Sequence, residues 1–312
     1  MAEFVKVYST VSTELLALLN HQLPYSLPLL RRLQFTKLEG GLRKTAKIYF
    51  VSDSEFKQSR DSPKRFTAAY VDIGGGPDTQ AWIYSTLEHP SQADQGTAVY
   101  ETQLNALVSE IVKAVKEYGY ELAYPGAILV GTLHDSVRTV LHKTGRLVSR
   151  ETGAYDKWLF KYQDLPGDEV ALPEGMHWGT ATEDDCRVVI SRTDIPRTVE
   201  VLIRMPSLVI KLDDETPVSW AFLGFDGSLV SLHCEEPYRR RGLAKTLAAK
   251  LFRDKSRAFA DDGWCSADVA PDNEGSRGMC KRLNGKPYWG ISWNLLYVDE
   301  KPPDFTNGTE KA

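Results

Sequence analysis

Apolar residues return along this chain at two spacings, one near every second residue and one near every three to four. The alternation between them sketches the elements. Leu15, Leu16, Leu18 and Leu19 predict a short helix over Thr13–Asn20, and Leu27, Leu29, Leu30 and Leu33 continue helical spacing beyond Pro24 and Pro28. Three strand-like runs follow at Ala46–Ser52, 66–73 and 81–86, rich in Tyr, Ile, Val and Phe. Gly74, Gly75, Gly76, Pro77 and Asp78 join the last two as a hairpin loop. Over 101–118, Leu104, Leu107, Val108, Ile111, Val112 and Val115 keep helical spacing, and Gly119 is the stop. A buried strand at 127–131, a helix at 135–143 and a strand at 158–162 complete this half.

The stretch 164–175 is rich in Pro, Gly and acids and is read as the boundary between domains. Beyond it the same grammar repeats. Thr182 caps a helix over 182–191 that carries Asp184 and Asp185 in its first turn. A second helix is expected at 199–204, then strands at Ser207–Leu212, 218–224 and Ser228–Cys234. A long helix over 243–259, a strand at 265–269, a helix at 275–283 and two short strands at 288–292 and 295–298 follow. Residues 301–312 are polar and read as a tail. The implied fold class is α+β, a mixed and mostly antiparallel sheet with helices on both faces. Two copies are expected in tandem: domain 1–165, domain 166–300 and the tail.

Composition narrows the function. The chain has 312 residues, 42% apolar and 26% charged, with a net charge of -4. A nucleic-acid binder usually carries a basic excess, so that class is disfavoured. Cys186, Cys234, Cys265 and Cys280 show no CxxC spacing and no flanking His pair, which argues against a structural metal. The start lacks a leader pattern and no apolar run reaches the roughly 20 residues needed to span a bilayer. The expectation is a cytoplasmic protein with reduced thiols, monomeric or homodimeric, with no membrane or nucleic-acid partner.

The chemistry concentrates in Arg239, Arg240, Arg241, Gly242, Leu243 and Ala244, placed between a strand and an amphipathic helix. Unpaired N–H groups and the dipole make a helix start an anion site, and the arginines add charge. A phosphate or pyrophosphate is the ligand that fits. Gly74–Gly76 lacks the Lys and helix of a phosphate-binding loop. His134 and Asp135 with a nearby Ser lack the nucleophile elbow of a hydrolase.

Arg239-x-x-Gly242-x-Ala244 resembles the loop by which GNAT acyltransferases hold the pyrophosphate of CoA, and Asn273 matches the Asn after the fifth strand that contacts CoA there. Pro217 to Trp220, residues 197–206, Tyr238-Arg239 and the Leu23 to Leu27 pattern are similar more narrowly to glycine N-acyltransferase, in which a degenerate GNAT-like half precedes a functional one. The resemblance implies acetyl-CoA or another acyl-CoA as co-substrate, no metal, and acylation of an amine, with a small molecule such as an amino acid as acceptor. Protein lysines or N-termini, or CoA binding without catalysis, are the alternatives. It also implies that Leu232, His233 and Cys234 supply backbone N–H groups to the acyl carbonyl from a fourth strand splayed from the fifth. The family's catalytic Glu is replaced by Ser228. His233, Asp226 and Glu235 are the candidate bases, besides a water chain to solvent. Cys280 stands where many members keep an acidic Tyr, with Tyr288 and Tyr297 as alternatives. Trp220, Trp289 and Trp293 are read as pocket walls or core.

Overall fold

The computed structural model describes residues 4–54, 63–93, 96–167, 171–259 and 262–299. The expected tail, and part of the expected boundary stretch, lie outside them. The chain forms two compact units.

The first unit is formed by the described residues within 1–29, 41–153 and 291–312. In chain order the elements of this half are β1 (Phe4–Tyr8), α1 (Thr13–Asn20), α2 (Leu27–Phe35), β2 (Ala46–Ser52), β3 (Phe66–Asp72), β4 (Ala81–Ser85), α3 (Pro90–Ala93), α4 (Ala98–Tyr118), β5 (Ala127–His134), α5 (Asp135–His142) and β6 (Leu147–Lys161). The glycine-rich loop turns β3 back onto β4 as a hairpin, with Val71 opposite Ala81. Helix α4 buries Leu104, Leu107, Val108 and Ile111 and stops at Gly119, whose φ of 71° is left-handed. His134 is a helix cap rather than a catalytic group: its Nδ1 accepts the Ser136 N–H at 3.1 Å, and burial pushes its pKa down to about 4.

The second unit is formed by the described residues within 30–40 and 154–290. Its further elements are β7 (Met176–Gly179), α6 (Glu183–Ile190), α7 (Val199–Leu202), β8 (Ser207–Leu212), β9 (Pro217–Leu223), β10 (Ser228–Cys234), α8 (Leu243–Lys255), β11 (Trp264–Val269), α9 (Glu274–Arg282) and β12 (Lys286–Tyr297). Thr182 caps α6 through a capping box with Asp185. The early segment joins this unit because Arg31 forks onto both Asp262 oxygens at 2.5 and 2.6 Å, and Phe35 packs against Phe225 and Phe259.

The strand orders match. The first unit reads β1-β2-β3-β4-β5-β12 and the second β7-β8-β9-β10-β11-β6. In both, the fourth and fifth strands are the parallel pair, β4 with β5 and β10 with β11, among antiparallel neighbours. The sixth strand of each comes from the other half of the chain. Residues 154–161 of β6 lie antiparallel to β11, from Trp264 opposite Lys161 to Val269 opposite Asp156. Residues 291–297 of β12 lie antiparallel to β5, with Tyr297 opposite Ala127. The two short closing strands expected from sequence are one strand. The polar break at Asn294 is buried and satisfied by Ser149 and Ser292, so the strand runs through it.

Helices cover both faces of the second sheet. Leu243, Leu247, Leu251 and Phe252 of α8 pack with Ala221, Leu223, Leu229 and Ala267, while Cys186, Val189 and Leu202 of α6 and α7 pack with Val209, Trp220 and Phe222. Burying each large side chain contributes roughly 1.5–3 kcal/mol. The four from α8 thus clamp that helix to the sheet. Among the described residues no helix is long and apolar enough to cross a membrane.

Candidate active site

Strand β10 pairs regularly with β9 at Leu229 and Val230, then shifts register before His233 meets Trp220 and Cys234 meets Ser219. Ser231 absorbs the shift with φ of 52°. A non-glycine residue held there costs about 1–2 kcal/mol, the kind of strain that bulges store beside functional sites. Its effect is to lay the His233 ring on Trp220, centroids 4.7 Å apart and planes 19° from parallel.

On its other side β10 pairs with β11 at only two positions, Ser228 with Ser266 and Leu229 with Ala267. Beyond them the two strands have no registered partners in each other. The Glu235 N–H donates to Val218 at 2.9 Å. Alternation from Glu235 therefore turns the His233 amide toward β9 and that of Cys234 away from it.

The arginine loop stands at the carboxyl end of β10. Residues Glu236–Tyr238 form a single 3₁₀ turn, Arg240 takes φ of 63° and Gly242 caps α8 with φ of 82°. Only glycine adopts the last without steric cost. The first ladder bond of α8 runs from the Thr246 N–H to the Gly242 carbonyl at 3.0 Å, so the amides of Leu243, Ala244 and Lys245 have no acceptor within the helix. No acid sits in the first turn. Arg239 donates through Nε to the Cys234 carbonyl at 2.9 Å, and Arg241 to the Pro237 carbonyl at 3.0 Å. Arg239 and Arg241 thus build the loop, and all three arginines are exposed. Asn273 caps α9 at the carboxyl end of β11, its Oδ1 accepting the Ser276 N–H at 2.9 Å. Parallel strand ends flanked by two helix starts form the crevice in which α/β proteins hold phosphorylated ligands.

The candidate bases are spread along β10. Asp226 is buried, and its Oδ1 accepts from the Ser228 N–H at 3.1 Å and the Ser228 hydroxyl at 2.5 Å, closing the turn ahead of the strand. It lies seven residues from His233, roughly 20 Å of extended chain, so the strand does not bring the two together. The His233 side chain is 24% exposed, its Nε2 3.7 Å from Glu235 Oε2. That nitrogen is buried and unbonded, because 3.7 Å exceeds hydrogen-bonding reach. Burial pushes the His233 pKa below its ordinary value, against the Glu235 carboxylate, which raises it. Glu235 Oε1 in turn accepts from Arg192 Nε at 2.9 Å. Cys280 is buried in the core and burial pushes its thiol up to about 12, which is the packing role of a small apolar residue. Tyr288 is 48% exposed, and Tyr297 belongs to the first unit. Trp220 is buried core, and Trp293 donates to Thr79 at 3.1 Å in the first unit.

Three features escape sequence reading. The bulge at Ser231 has no compositional mark. Arg192 lies in a loop that reads as solvated surface. Lys157 and Asp268 form an ion pair at 2.6 Å, with side chains 0% and 9% exposed. Asp268 is the first β11 residue beyond the last pairing with β10. A lone charge within an apolar strand run on each side was the available signal for that pair.

No curated protein matches the sequence. Solved structures share the fold. A Drosophila protein superposes with a TM-score of 0.62 at 15% identity, covering 95% of this chain and 99% of its own. A tandem GNAT protein from the clavulanic acid biosynthesis pathway gives 0.53 at 13%, covering 96% and 100%. A GCN5-related N-acetyltransferase from Sphaerobacter thermophilus gives 0.51 at 14%, covering 96% of both chains. Residues 3–158 match the family described as the acyl-CoA N-acyltransferase verG N-terminal domain. With half of its length inside that family and the same strand order repeated in both units, the chain belongs to the acyl-CoA N-acyltransferases of the verG type, built on a tandem GNAT fold.

Proposed function

We propose that the second unit transfers an acyl group from acyl-CoA to the amine of a small molecule, an amino acid or related amine, by direct attack on the thioester. The observation that carries this is the gap beyond Leu229 and Ala267, with the open amides of α8 at its end. The amides of Leu243 to Lys245, with Arg240, hold the pyrophosphate. Acyl-CoA supplies the activated carbonyl and a thiolate leaving group. The Leu232 and Cys234 amides donate to the carbonyl oxygen as it gains negative charge, a term typically worth about 2.7–4 kcal/mol of barrier for one donor. His233 takes the proton released by the amine as the C–N bond forms and the C–S bond breaks. Trp220 beneath the ring fixes its plane. The narrower likeness to glycine N-acyltransferases supports the amino acid as acceptor class, with residues 1–165 as the degenerate half. The four free cysteines fit the cytoplasm.

The test is a panel of amines with acetyl-CoA and benzoyl-CoA, read by free-thiol release. Thiol release that depends on a small amine supports the reading. Thermal stabilisation by acetyl-CoA with no turnover on any amine overturns catalysis and leaves a CoA binder.

A further inference from the structure

The base proposed above does not stand alone, and resting on that reading we infer that Glu235 and Arg192 form a positioning pair for His233: Glu235 faces ring atom Nε2 and leaves Nδ1 as the nitrogen that receives the amine proton, while Arg192 holds Glu235 in place.

Three observations converge on this. Nε2 is buried without a bonded partner, although the side chain is 24% exposed, so the exposed part of the ring lies elsewhere. The nearest carboxylate oxygen, Glu235 Oε2, stands 3.7 Å from it. The other oxygen of the same carboxylate is fixed by Arg192 Nε at 2.9 Å, and Arg192 is braced on the Ser191 hydroxyl at 3.1 Å. Carboxylate, ring and Trp220 face therefore leave His233 one orientation.

At rest the neutral ring carries its proton on Nε2, facing Glu235, and the contact is too long for a hydrogen bond. When Nδ1 takes the proton from the attacking amine, the ring becomes a cation. Closing the contact by about 1 Å then forms a charge-assisted bond. An interaction that strengthens only as charge develops lowers the barrier without tightening substrate binding. The groups that face the ring from the surrounding elements are Glu235 just past its own strand, Arg239 on the loop and Arg192 after α6. Glu235 is the only acid among these three. Its removal leaves burial and two arginines, all opposing the protonated ring.

The experiment is a titration of the intact chain with its histidines labelled with nitrogen-15, the His233 signal being assigned by its loss in His233→Ala. In Glu235→Gln the His233 midpoint falls, the acid limb of the kcat/KM profile moves down with it, and kcat drops about 10–100-fold with KM little changed. Arg192→Gln lowers kcat alone but adds nothing in the Glu235→Gln background, since its effect runs through Glu235. Turnover retained by His233→Ala overturns the base itself. Loss in His233→Ala, with titration and profile unmoved in Glu235→Gln, overturns only the positioning by Glu235. Additive losses for the two substitutions overturn the role of Arg192.

Discussion

Replacing Lys157 with Met isolates what the borrowed strand contributes to the CoA-binding unit. Lys157 Nζ lies 2.6 Å from Asp268 Oδ1, with side chains 0% and 9% exposed. At an effective dielectric constant near 20 the attraction at that separation is about 6 kcal/mol. Desolvating two ions costs several kcal/mol each, so the pair as a whole contributes little net stability. Breaking it is another matter. Lys157→Met takes a buried positive partner away from the Asp268 carboxylate, at a cost of about 3–5 kcal/mol. A double substitution, Lys157→Met with Asp268→Leu, removes both charges and recovers the parent stability to within about 1–2 kcal/mol, or exceeds it. Urea unfolding of the full chain, followed by tryptophan fluorescence, measures Lys157→Met, Asp268→Leu and the double variant with the parent. A Lys157→Met variant within about 1 kcal/mol of the parent refutes the reasoning, as does a double variant weaker than either single one.

Further expectations concern the site. His233→Ala lowers turnover at neutral pH by about 10²-fold or more, and equal rates in the variant and parent across pH contradict the base. Because burial holds the His233 pKa below 6.5, the neutral, proton-accepting form is present throughout the neutral range. The His233 limb of the parent kcat/KM profile therefore falls on acidification with its midpoint below 6.5; an acid limb centred above 6.5 is the contrary result. Gly242→Ala places a side chain at φ of 82°, costing about 1–2 kcal/mol, and calorimetry should show CoA binding weakened about tenfold by the distorted helix start. With its thiol pushed up to about 12, Cys280 stays unlabelled by iodoacetamide at pH 8 in the native chain, read by mass spectrometry, and Cys280→Ala retains parent turnover. Loss of turnover there makes position 280 the general acid after all.

Local order was legible wherever burial was one-sided or complete. Apolar runs marked β2, β3, β8 and β10, and the stripe from Leu104 to Ile111 marked α4. Strand β1 escaped because Phe4, Val5 and Val7 stay exposed at a sheet edge, and β7 because it has only four residues. The first part of β6 is exposed along most of its length, so no burial pattern announces it. The arginine loop was legible because its chemistry is local: charge, glycine and helix start follow one another in sequence. The strand exchange was not, since a strand's sequence states that it pairs but not with which partner. The same limit hid Lys157 with Asp268 and Arg192 with Glu235, whose members lie far apart in the chain.

That exchange also sets a timetable for synthesis. The sheet of the first unit lacks its sixth strand until residues 291–297 have left the ribosome, about 130 residues after β6 ends. At roughly 5–20 residues per second this is a delay of roughly 7–25 s. Through that interval the nascent chain presents the open flank of β5, from Ala127 to His134, as a row of unpaired backbone groups. Meanwhile residues 154–161 can be matched as soon as β11 emerges. The second unit is thus the first to close its sheet, and the first unit depends on the last of the described strands.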